Sequence, residues 1–210
     1  MDPTTPNVVQ RPGGFRSRRF VFAAPRASAE VRAVAAAAGW QPTVDRPASP
    51  DGGKPLLLGW EPLPGLAVTY TEKPAVETCF VMAASALGAA EVEGCVSVFA
   101  AHPFVRGRRE LLGPCDSADT TAALGVALAR AGLGAPVEAD EGFVRRLESG
   151  AFHDDPAVRE GALWGMAYAE WAVFRPTLAT AAEEDGDEFL RRVAASALRA
   201  FDAVGVPGTP

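Results

Sequence analysis

One segment of the chain repeats itself at a fixed offset of 32 residues. Asp155-x-x-Val158-Arg159-x-x-Ala162-x-x-Gly165-Met166 aligns with Asp187-x-x-Leu190-Arg191-x-x-Ala194-x-x-Ala197-Leu198, and Arg175-Pro176-Thr177-Leu178-Ala179 lies between the copies. Each copy opens on an aspartate, which can accept free N–H groups at a helix N-terminus and favours its positive end. Pro156 stands at the first helical position, where a missing donor is harmless. The small residues Ala162, Gly165, Ala194 and Ala197 allow helices to approach closely. A helix pair of this kind leaves an apolar face uncovered and must stack on another pair. The repeat therefore commits this part of the chain to stacked helical hairpins.

The surrounding sequence agrees. From residue 118 onward strand signals are scarce and alanine is dense. Helices are predicted from Asp119 to about Gly132, over 140–152, 155–171 and 172–184, and from about Asp187 to Val204. The breaks between them are short, which implies antiparallel neighbours.

The first half reads differently. Residues 1–15, with three prolines and two glycines, are expected to be a flexible leader. A short strand follows around Phe20, then a helix capped by Ser28 and stopped at Gly39. Residues 41–55 read as a loop. Three apolar segments at 56–60, 66–71 and 78–84 read as strands, and 89–105 as a helix. The fold class expected is α+β: a small N-terminal α+β layer with an antiparallel sheet over 16–115, then a helical stack over 116–210. The layer is expected to cover one open end of the stack.

The repeat resembles the HEAT repeat family, through its aspartate and Val-Arg helix start and its proline-opened second helix, over residues 143–204. The resemblance implies a curved helical stack that offers a surface to protein partners. Asp155, Asp187, Arg159 and Arg191 match the family's caps and inter-repeat ladder, and none matches a catalytic position.

Charge divides the chain as the pattern does. Residues 1–115 carry 12 Lys+Arg against 10 Asp+Glu, and residues 116–210 carry 8 against 16. An acidic helical half repels phosphate backbones, so nucleic acid is disfavoured and a basic protein favoured as partner. The usage of 41 Ala, 18 Arg, 2 Lys and no Ile reflects GC-rich codon supply and points to a bacterial source. Cys79, Cys95 and Cys115 form no C-x-x-C and read as free thiols of a reducing cytoplasm. The Arg18-Arg19 start breaks at Pro25 before reaching signal-peptide length, and no apolar window spans a membrane. A cytoplasmic chain without metal or cofactor is expected.

Trp164, Tyr168 and Trp171 fall at i, i+4 and i+7 and share one helix face, either as a partner anchor or as inter-helix core. Trp171 and Phe174, near the helix turn, are expected at the surface, with Arg175 beside them as partner-binding. Glu183, Glu184 and Asp185 open an acidic loop that continues to Asp187 and Glu188. Arg106, Arg108 and Arg109 form a basic patch. His102 and His153 show no metal-ligand spacing, and Ser85 and Ser97 lie in no nucleophile elbow. The function expected is a non-enzymatic bacterial interaction module. The alternatives are an immunity- or antitoxin-type inhibitor of a basic toxin, and a glycosylase- or lyase-like enzyme on a helical stack.

Overall fold

A computed structural model describes residues 6–50 and 53–208, which fall into two compact units, Pro6–Arg106 and Gly107 onward. The first is α+β and the second is helical.

The first unit is an antiparallel sheet faced by two helices. Its strands are β1 (Val8–Arg11), β2 (Gly14–Ser17), β3 (Phe20–Val21), β4 (Gln41–Arg46), β5 (Leu57–Leu63), β6 (Leu66–Lys73) and β7 (Thr78–Ser85). They run in the order β1-β2-β7-β6-β5-β4, with β3 also paired to β7. Alternation decides the inner face. Leu58 and Trp60 lie opposite Tyr70 and Val68, which lie opposite Val81 and Ala83, and all six are buried. Helices α1 (Ser28–Ala37) and α2 (Ala89–Ala100) complete this core with Val31 and Ala35, and with Val92, Val96 and Phe99. Gly39 takes φ +70 just after α1, the left-handed stop that the sequence predicts.

Three expectations are corrected here. The leader is ordered over residues 8–17, where β1 and β2 form a hairpin; residues 1–5 lie outside the described residues. Its glycines serve a turn: Gly13 and Gly14 have φ +88 and +149, and a Cβ on Gly14 would strike the Ser85 carbonyl. Residues 41–46 are an edge strand. Pro42 is tolerated there because one side of an edge strand has no ladder to complete, and a bulge follows it. Arg32 of α1 donates through one nitrogen, Nη2, to both carboxylate oxygens of Asp45, at 3.1 and 2.9 Å. Ser28 is the first helical residue and caps nothing, since the N-cap position belongs to Ala27.

The second unit consists of three helical hairpins: α3 (Arg108–Ser117) with α4 (Thr121–Leu133), α5 (Glu141–Ala151) with α6 (Pro156–Ala169), and α7 (Arg175–Glu184) with α8 (Glu188–Ala203). Within each hairpin the link is three or four residues long. Helix α4 packs on α6, and α6 on α8. Thr120, Asp140, Asp155 and Asp187 each accept backbone N–H bonds at a helix start, and a cap of this kind stabilises by about 1 kcal/mol.

Helix α3 has no clear signature in the sequence, because Gly113 and Pro114 carry the composition of a linker. Leu111 and Leu112 are nevertheless buried, and the Glu110 carboxylate accepts the Gly107 N–H at 2.8 Å. The boundary between units therefore falls at Arg106/Gly107, not near residue 115.

The α4–α6 contact is made through glycine. A Cβ on Gly132 would overlap the Gly165 backbone, and one on Gly161 would overlap the Gly125 backbone. Gly125 meets the Ala157 carbonyl in the same way, and a Cβ on Gly165 would lie 2.7 Å from the Leu128 oxygen. Backbone thus packs on backbone, with Leu128, Leu133, Leu147 and Leu163 buried around the seam.

Candidate interaction surface

The aromatic residues of α6 divide between core and surface. Trp164 is 36% exposed, and Tyr168, half-buried one turn on, stacks against it with ring centroids 5.9 Å apart and planes 22° apart. Glu160 precedes Trp164 by one turn, so a Glu-Trp-Tyr stripe runs along α6. The repeat offset puts Arg192, Ser196 and Ala200 at the matching positions of α8, and all three are exposed. The aromatic pair of α6 thus has no aromatic counterpart at the matching positions of α8. Phe189, at the start of α8, is 46% exposed and was not anticipated.

Trp171 does not belong to this stripe. Helix α6 ends at Ala169 and Glu170 turns left-handed at φ 55, so the i+7 spacing no longer holds on one face. Trp171 is 5% exposed, packs edge-on to Phe143 and flat on Phe174, and donates its indole N–H to the Pro136 and Val137 carbonyls at 3.2 and 3.1 Å. Phe174 is fully buried. The expectation that Trp171 and Phe174 reach the surface is therefore corrected: they plug the hinge between α6 and α7, and Trp164 is the exposed one.

Arg175 is also corrected. Its guanidinium donates to the Pro207 and Val206 carbonyls at 2.9 and 2.7 Å and to Asp202 at 2.8 Å, over the ring of Phe201. It fastens the residues after α8 and is not offered to a partner. Asp185 is buried to 4% side-chain exposure and takes the Arg159 fork at 2.9 and 3.1 Å. Burial pushes its pKa up, but Arg159 and the Asp187 amide outweigh this and hold it below the usual carboxylate range. Glu183 and Glu184 remain exposed at the end of α7.

The basic patch dissolves into separate roles. Arg106 donates to the Ala23 carbonyl within the first unit. Arg108, in the second, makes two bonds to Asp140 at 2.7 and 2.8 Å. Arg109 is exposed. Further pairs, Arg146–Asp116 and Arg192–Glu188, consume more of the cations of the second unit, which carries 10 arginines against 17 carboxylates, and Arg145 lies loosely beside Glu141 at 3.8 Å. The surplus is acidic.

The histidines occupy structural turns. His102 packs on Phe22 and Phe104. His153 Nδ1 accepts the Asp155 N–H at 3.0 Å. Burial raises the Cys79, Cys95 and Cys115 thiols to about 11. Among the described residues no group of three or more His, Cys, Asp or Glu is arranged to hold a metal, and no helix is long and apolar enough to cross a membrane.

Comparison with protein-family models, with curated proteins and with solved structures returned no match.

Proposed function

We propose that this chain is a non-catalytic protein-interaction module of the HEAT-like kind, working from the cytoplasm of a bacterium, which holds its partner on the α6–α8 face. The observation that carries this reading is the stacked Trp164–Tyr168 pair, half out of the core on α6, in a unit where Phe152 and Phe189 are exposed as well. Tryptophan and tyrosine are among the residue types that dominate binding energy between proteins. The acidic surplus of the second unit, with Glu183 and Glu184 exposed, supports a basic partner. It also favours, as a special case, an inhibitor that masks a basic protein.

The test is affinity capture from the native host with the full chain and two variants. The expected result is a partner retained by the wild type and by Trp164→Phe, lost with Trp164→Ala, and eluted by moderate salt. Retention of the same proteins by all three baits overturns the reading.

A further inference from the structure

Arg159 and Asp185 form a rung between the second and third hairpins. The arginine stands four residues after the N-cap Asp155, and the aspartate two residues before the N-cap Asp187. The corresponding positions between the first and second hairpins are four after Thr120 and two before Asp155. They hold Leu124 and His153. The rung is thus replaced at both ends, by a leucine that cannot donate and a histidine that carries no fixed charge.

A cavity of about 370 Å³ lies there, lined by Leu124 and His153 together with Cys115, Arg145, Arg146 and Ser149. Its polar groups are unequal in number. Arg146 is held by both oxygens of Asp116, at 2.8 and 2.6 Å, and by the Gly142 carbonyl. Asp116, the one carboxylate of the lining, is consumed by that fork. Arg145 has Glu141 beside it at 3.8 Å, on the open surface. His153 accepts on Nδ1, so the neutral ring carries its proton on Nε2. Among the side chains of the lining donors therefore outnumber acceptors, and Arg145, Arg146 and Asp116 sum to one positive charge, with Glu141 standing outside the lining. Leu128 and Val158 make part of the lining apolar, which strengthens any ion pair formed against it.

We propose that this cavity is a carboxylate-binding site, in which Arg145, His153 Nε2–H and Ser149 Oγ–H hold an incoming carboxylate in the place that Asp185 fills one hairpin later. A monoanion matches the excess of one cation in the lining, and a two-oxygen acceptor matches the guanidinium fork of Arg145, whose 3.8 Å contact with the exposed Glu141 is weak enough to yield to it. The site is independent of the Trp164 surface: either stands if the other falls.

The experiment titrates sodium acetate into the ¹⁵N-labelled full chain at constant ionic strength, with sodium chloride and inorganic phosphate as parallel probes. The expected result is saturable shifts at Ser149, Gly150 and the His153 ring, with phosphate weaker and chloride without effect. Arg145→Gln, an exposed change that leaves the fold intact, should weaken acetate at least about tenfold. The double variant Leu124→Arg/His153→Asp should rebuild the rung and abolish the shifts. If it fails to fold, Arg145→Gln alone decides. N-acetylglycine and N-acetyl-aspartate methylamide, run alongside, separate a chain-terminal carboxylate from an acidic side chain by which saturates first. Shifts that do not saturate, that follow chloride equally, that favour phosphate, or that survive Arg145→Gln overturn the proposal.

Discussion

Arg159 donates to both carboxylate oxygens of Asp185 and, through its other nitrogen, to the carbonyls of His153 and Asp154, each at 2.9 Å. One guanidinium thus closes the link of its own hairpin and joins it to the next. Arg191 repeats the first half of this arrangement by donating to the Asp185 carbonyl, six residues back, as Arg159 does to His153. Removing Asp185 leaves a largely buried guanidinium without its counter-charge, which costs about 3 kcal/mol or more. Asp185→Ala should lower the urea midpoint accordingly, while Glu184→Ala, on the exposed neighbour, should leave it nearly unchanged.

The same pair sets a pH dependence. The Asp185 pKa is depressed in the folded chain: burial raises it, but Arg159 and the Asp187 amide prevail. Asp140 is depressed by the fork of Arg108. A carboxylate lowered on folding contributes stability that is complete above its unfolded value, about 3.9, and is lost as pH falls through the folded one. Urea midpoints should hold from neutral pH to about 5 and decline below about 4. Asp185→Asn should flatten that decline; an unchanged profile would assign the acid sensitivity elsewhere.

Trp164 and Trp171 differ by seven positions and should behave as opposites. Trp171→Ala empties the space against Phe143 and Phe174 and orphans two carbonyls, for a loss of about 3–5 kcal/mol. Trp164→Ala should cost under about 1 kcal/mol while removing partner capture. Thermal melts of the two variants check the first contrast directly.

Glycine substitutions should split by position. Gly132→Ala or Gly161→Ala forces α4 and α6 apart and should cost at least about 2 kcal/mol. Gly94→Ala in α2, where the new methyl meets nothing within 4 Å, should stabilise by up to about 1 kcal/mol.

Arg175→Ala should release the end of the chain. It removes three hydrogen bonds from residues 202–207, one of them to a carboxylate. Amide exchange at 204–206 should rise well ahead of the rest of α8, with a global loss of about 1–2 kcal/mol.

Much of the helical part was legible because its signals are local. The aspartate caps at 155 and 187, the link lengths and the 32-residue register follow from neighbours in sequence, and each hairpin from α5 to α8 stands where the pattern puts it. The elements missed were those whose local signals conflict with their tertiary role. Pro114 disguises α3, Pro42 disguises an edge strand, and the glycines of the β1–β2 turn imitate disorder. The fate of the aromatic residues was not readable at all. Whether position 171 continues the face of 164 and 168 depends on where α6 stops, and Glu170, a residue with no intrinsic preference for a left-handed conformation, stops it. The arginine clamps were equally hidden, since Arg175 finds its acceptors 27 to 32 residues later, across a fold that the sequence does not spell out.

The glycine seam between α4 and α6 has a consequence for specificity of assembly. In a chain with 41 alanines, helix–helix contacts are smooth and could settle in several offsets, because one methyl group is much like the next. Four missing methyl groups act as notches. Gly125 and Gly132 sit two turns apart on one helix, and Gly161 and Gly165 one turn apart on the other, so only one longitudinal alignment brings backbone onto backbone. A slip of one helical turn would drive an alanine or leucine Cβ into a carbonyl. The hairpins are thus indexed like the teeth of a key, by what is absent at four positions, and the surface carried by α6 and α8 inherits that fixed setting.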